Sequence, residues 1–126
     1  MGKKLLEFKY RNRKCETNSH IRINETKKRR TIMKKEQVLA RLKEDCLVAV
    51  VRAKNLEQGE KVVDAIIAGG INFIEITMTM DEGNPVDFIA AMAKKYKDND
   101  KVVIGAGTVL DPETARQVIL AGANYV

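Results

Sequence analysis

The sequence predicts an α/β fold: a parallel (β/α)8 barrel, of which the chain carries about the first half. Three observations predict it. Short apolar, β-branched runs alternate with helical stretches through short links, the pattern of a parallel sheet with crossover helices. The stretch IIAGGINFI (residues 66–74) returns as VILAGANYV (residues 118–126), each time a helix end, a glycine turn and a strand start. The polar residues of the strands gather at their C-terminal ends, where a barrel holds its functional groups. A doubly wound sheet is the competing architecture, but no G-x-G-x-x-G is present. A barrel takes roughly 200 residues or more, and this sequence of 126 residues reaches only the start of a fourth strand.

The elements follow in order. Residues 34–45 carry Val38, Leu39 and Leu42 at helical spacing and open the domain. CLVAVVR (residues 46–52) is a continuous apolar run, expected of a buried parallel strand. Asn55 and Gln58 read as a capping box, and Leu56, Val62, Val63, Ile66 and Ile67 form one helical stripe that Gly69 and Gly70 end. NFIEITMT (residues 72–79) is the second strand. Asn84 and Pro85 start the next helix as N-cap and first-turn proline, with Val86, Ile89, Ala90, Ala93 and Tyr96 on its buried face. KVVIGAG (residues 101–107) is the third strand. Asp111 and Pro112 repeat the cap-plus-proline start, Val118 and Ile119 point inward, Gly122 stops the helix, and NYV begins a fourth strand.

Charge divides the chain in two. Residues 1–32 hold eleven Lys/Arg and three Asp/Glu, a net of +8, whereas residues 33–126 hold twelve and fourteen, a net of −2. The second segment therefore gives no electrostatic argument for nucleic acid. The first shows no sustained period and few apolar residues, so it reads as disordered. A basic arm is one reading of it. Another is translated leader: AGG codons at Arg29 and Arg30 would form a bacterial ribosome-binding site just ahead of Met33 as the true start. The domain is then residues 33–126. No apolar run is long enough to span a bilayer, and no signal-peptide core is present, so a cytoplasmic protein is expected. Cys15 and Cys46 fit no metal spacing and His20 is the only histidine, so no metal or cofactor is expected.

Within the second strand, Glu75 is an anomaly. An ionised carboxylate amid Phe73, Ile74 and Ile76 is costly unless paired, protonated or solvated in a cavity. It lies either on an edge strand facing water or on a strand whose inner face opens onto an active site. Thr77 and Met78 read as packing residues. Gly105 and Gly107 read either as a tight strand-to-helix turn or as bare backbone that a substrate can approach.

The stretches VAVVRA, AGGINFIEITMT and IGAGTVLDPETARQVILAGANYV resemble the class I pyruvate aldolases that cleave 2-keto-3-deoxy-6-phosphogluconate and, in many members, 4-hydroxy-2-oxoglutarate. The resemblance runs from about Met33 to Val126, and the pairing of IEIT with GAGTVLDP makes it specific. It implies a Schiff-base lyase without a cofactor, acting on a 2-keto acid and assembling as a homotrimer. It implies that Glu75 moves protons and that Thr108 holds the substrate carboxylate beside Gly105 and Gly107. Many members carry a carboxylate-binding arginine where this sequence has Thr79, and Arg52 at the end of the neighbouring strand is the candidate replacement. The Schiff-base lysine belongs to the second half of the barrel, so the chain alone is expected to be inactive. Other phosphate-binding barrels, such as epimerases or thiamine-phosphate synthases, and a non-catalytic half-barrel assembly module are the alternatives. In the aldolase reading Glu75, Thr108 and Arg52 converge at the C-terminal ends of the strands, with Glu75 facing inward.

Overall fold

The computed structural model describes residues 33–126. The readings of residues 1–32, Cys15 and His20 included, fall outside it. Seven elements alternate: α1 (Lys35–Asp45), β1 (Ala49–Val51), α2 (Leu56–Ala68), β2 (Phe73–Thr77), α3 (Pro85–Lys95), β3 (Val103–Gly107) and α4 (Pro112–Ala121). The strands form one parallel sheet in the order β1-β2-β3. NYV continues the sequence beside β3 through a single parallel bridge, Gly105 to Tyr125, with the Ala106 N–H donating to the Tyr125 carbonyl at 3.1 Å.

The helix boundaries follow from local chemistry. Asn55, Asn84 and Asp111 each accept a backbone N–H of the first helical turn, from Gln58 (3.0 Å), Val86 (2.9 Å) and Thr114 (2.7 Å) respectively. The expected capping box at Asn55 is only half formed, because the Gln58 side chain accepts from Lys54 N–H instead, at 3.0 Å. Left-handed Gly122 (φ 111°) ends α4.

Strand alternation splits the sheet into two faces. Ile74, Ile76, Ile104 and Ala106 point one way, into a core with Val63, Phe88, Ile89, Met92 and Val118 from α2, α3 and α4. All three crossover helices thus lie on one face, over strands in sequential order. That arrangement is an alternating parallel α/β fold consistent with part of a barrel. On the opposite face, Val38 of α1 packs with Phe73 and Val103 at the strand starts, and Met33, Leu42 and Tyr125 surround them. Arg41 Nη2 donates to the Lys101 carbonyl at 3.1 Å and helps fix α1 there.

Three expectations need correction. The first strand spans three residues rather than seven, because Cys46 takes a left-handed conformation (φ 57°) that closes α1, and the chain becomes regular only at Ala49. Leu39, Leu56, Val62 and Ile119 are exposed. Among the described residues, α3 packs against both α2 and α4. The centre of the buried face of α3 is Phe88, Ile89 and Met92, and Ala90 is only half-buried.

Candidate active site

The face opposite the three helices is layered by register. Phe73 and Val103 stand level at the bottom, both buried beneath α1. Val50, Glu75 and Gly105 stand level in the next row, and the bridge adds Tyr125 to it. Thr77 and Gly107 are level above them, and Arg52 follows β1 at that height. The sequence thus runs from an apolar floor to a polar rim within two turns of strand alternation.

Glu75 is half-buried on this open face, not on the helix side. Its side chain runs upward and across to β3, so a Cβ built on Gly107 would collide with Oε1 and lie 2.8 Å from Cδ. The ring of Tyr125 covers Gly105 in the same way, with Cζ and Cε1 where a Cβ would stand. The two glycines therefore make room for two protein side chains, a role that the sequence reading did not include. Gly107 and Gly105 are needed for space here rather than for backbone freedom. Glu75 has no hydrogen bond or ion pair to any other described residue.

Thr108 follows Gly107 with φ 62°, a left-handed conformation that a β-branched residue rarely adopts. Strained backbone of this kind is concentrated at functional sites. Its side chain is exposed at the C-terminal end of β3, one residue beyond the glycine that Glu75 overlies. Arg52 is exposed at the C-terminal end of β1, on the other side of β2, and makes no ion pair with any described residue. The structure thus brings Glu75, Gly105, Gly107 and Thr108 together over β3 and leaves Arg52 at the rim.

Thr79 is exposed, and its hydroxyl donates to Thr77 Oγ1 at 3.2 Å. Thr77 is buried, with Oγ1 within 3.4 Å of the Val51 carbonyl and 3.3 Å of the Thr79 carbonyl. It ties the end of β1 to the turn after β2, in keeping with a packing role. The loops after β1 and β2 are joined again by Glu82 N–H donating to the Lys54 carbonyl at 2.8 Å and by a Lys54–Glu82 ion pair at 3.6 Å.

Sequence reasoning missed Tyr125. Burial, with the Glu75 carboxylate adding to it, pushes its phenol well above the usual tyrosine range. One signal pointed to it: the repeated helix–glycine–strand unit sets Tyr125 at the position of Phe73. Among the described residues, no group of three or more His, Cys, Asp or Glu side chains is placed to hold a metal ion, and no helix is long and apolar enough to cross a membrane. None of the three strands carries a lysine.

Residues 38–126 match the family described as KDPG and KHG aldolase. A KHG/KDPG aldolase of Escherichia coli (strain K12) is 35% identical over 79 residues, covering 63% of this chain and 35% of that protein. A 2-dehydro-3-deoxy-phosphogluconate aldolase of Dickeya dadantii is 30% identical over 79 residues, with 63% and 35% covered. One from Treponema pallidum is 35% identical over 80 residues, with 64% and 36% covered. The chain spans about a third of the length of these curated relatives.

Proposed function

The chain belongs to the KDPG and KHG aldolase family, and from that premise we propose that it is the proton-transfer half of a Schiff-base aldolase barrel. The reaction is cleavage of 2-keto-3-deoxy-6-phosphogluconate to pyruvate and glyceraldehyde 3-phosphate, or of 4-hydroxy-2-oxoglutarate to pyruvate and glyoxylate. One observation carries this reading: Glu75 stands on the face opposite the three crossover helices, above an apolar floor, beside the strained Thr108.

The chemistry assigns each group a task. A lysine outside these 126 residues, on a later strand of the barrel, attacks the substrate ketone. Loss of water leaves an iminium, which is an electron sink. Glu75 takes the proton of the substrate hydroxyl, the carbon–carbon bond breaks, and its electron pair flows into the iminium to give an enamine and the free aldehyde. Glu75 then returns a proton to the enamine carbon, and water releases pyruvate and the lysine. Thr108 binds the substrate carboxylate at the end of β3, while Gly105 and Gly107 leave room for the Tyr125 ring and the Glu75 side chain beneath it. Arg52 supplies positive charge from the rim in place of an arginine at Thr79. The remaining strands close the sheet into an eight-stranded barrel, which works as a trimer.

Borohydride trapping tests the division of labour. With pyruvate present, the 126-residue chain is expected to show no site-specific adduct, whereas a polypeptide carrying the whole barrel is labelled on one lysine beyond Val126. Pyruvate-dependent labelling of Lys54, Lys61 or Lys101 would overturn the proposal. In support of the reading, Lys54 and Lys61 are exposed and paired with Glu82 and Glu57, and Lys101 precedes β3 at its N-terminal end.

A further inference from the structure

Tyr125 carries a buried hydroxyl with no hydrogen-bond partner. An orphaned buried donor costs about 1–3 kcal/mol, so its position calls for a reason. The backbone gives the direction. Tyr125 is bridged to Gly105, and Gly105 is level with Glu75, so the three lie in one row across the sheet. The distal ring atoms, Cζ that carries the hydroxyl among them, lie over Gly105, the β3 residue that pairs with Glu75. The ring is held from below by Phe73, with centroids 6.1 Å apart, within the cluster that includes Val38 and Val103. From the other side, Glu75 leans over the same strand, above Gly107. Among the described residues, its carboxylate is the charge that bears on the phenol, and it too lacks a partner among them.

We propose that Tyr125 is a positioning residue for Glu75: its hydroxyl donates a hydrogen bond to one water that bridges to the Glu75 carboxylate, and so fixes the carboxylate over β3. Two glycines in one strand then have a single purpose, to let these side chains meet above it. The geometric claim stands apart from the aldolase reading; only its effect on turnover rests on that reading.

The test is nuclear magnetic resonance on the 126-residue chain carrying 13C at tyrosine Cζ, with the Tyr125 signal identified by its loss in Tyr125→Phe. Glu75→Met removes the acceptor and keeps the shape. It is expected to speed exchange of the Tyr125 hydroxyl proton about tenfold, the equivalent of one hydrogen bond, without moving the Tyr96 signal. Read from the other side, Tyr125→Phe is expected to shift the 13C signal of the Glu75 carboxylate and leave that of Glu82 in place. Unchanged Tyr125 exchange in Glu75→Met, or an unshifted Glu75 carboxylate in Tyr125→Phe, overturns the proposal. In a polypeptide carrying the whole barrel, Tyr125→Phe should lower kcat and spare KM. Absence of any aldolase activity there would sink the function but not the pairing, which the resonance data decide alone.

Discussion

The two faces of the sheet are built from alternate residues of the same strands, yet they obey different rules. Toward the helices, Ile74, Ile76, Ile104 and Ala106 are at most 2% exposed and belong to one apolar core cluster. On the other face, Val50 is 63% exposed, Glu75 and Gly107 are half-buried, and glycines stand where bulk would be expected. One face is filled for stability. The other is hollowed and made polar from its second row upward. The difference teaches that a strand residue's task is set by its parity as much as by its type.

The largest expected effect tests the hollow face. In a polypeptide carrying the whole barrel, Glu75→Gln should slow turnover by roughly 10²–10⁴-fold, the scale of general acid–base work. Its urea-unfolding midpoint should stay near that of the parent. A loss below about tenfold assigns the proton transfers elsewhere.

Next comes the filled face. Ile104→Ala leaves a cavity among Ile74, Ile89 and Val118 and is expected to cost about 2–5 kcal/mol. Val50→Ala, on the exposed side of β1, should change stability by no more than about 0.5 kcal/mol. Equal costs in urea titrations would erase the distinction between the faces.

Gly105→Ala should fall between these. The added methyl meets the Tyr125 ring, which Phe73 holds from below, and overpacking of this kind costs about 1–3 kcal/mol. Gly107→Ala meets the Glu75 side chain, which can swing aside. Its cost should appear in turnover before it appears in the unfolding midpoint. The reverse order would mean that the Glu75 position is held more rigidly than the Tyr125 ring.

The smallest effect belongs to neither face. On the outer side of the helices, Asp64 of α2 accepts from Lys95 Nζ at 2.6 Å and from the Tyr96 hydroxyl at 2.5 Å. The Lys95 ammonium, then the Tyr96 hydroxyl, hold the Asp64 carboxyl below its ordinary value. Its contribution to stability is therefore present above about pH 4 and lost as pH falls through the lowered value. Burial, then the bond to Asp64, push the Tyr96 phenol to about 12. That contribution is complete below about pH 10 and lost as pH rises through about 12. Tyr96→Phe should flatten part of the alkaline fall in the urea midpoint, leaving the part due to Tyr125, whose phenol is raised as well. Because the Asp64 side chain is 44% exposed, the acid-side loss that Asp64→Asn abolishes should be slight.

The sequence by itself determined the order of elements, their caps, the alternating parallel α/β class and the family. These depend on short-range signals: Asn84 before Pro85, Gly122 after a helical stripe, β-branched runs between them. It also marked Glu75 as a carboxylate that needed a reason. Tertiary structure decided what surrounds it. Parity sent Glu75 away from the helices, and register set it level with Gly105, thirty residues later in the chain. The fourth-strand bridge then laid Tyr125 across that glycine. The lengths of the strands, the exposure of Leu39 and Ile119, and the centrality of Phe88 were decided at this level too. The physical reason is common to all of them. Helical period and capping act over a few residues, whereas burial and register depend on which distant segments meet, and no local pattern encodes that meeting.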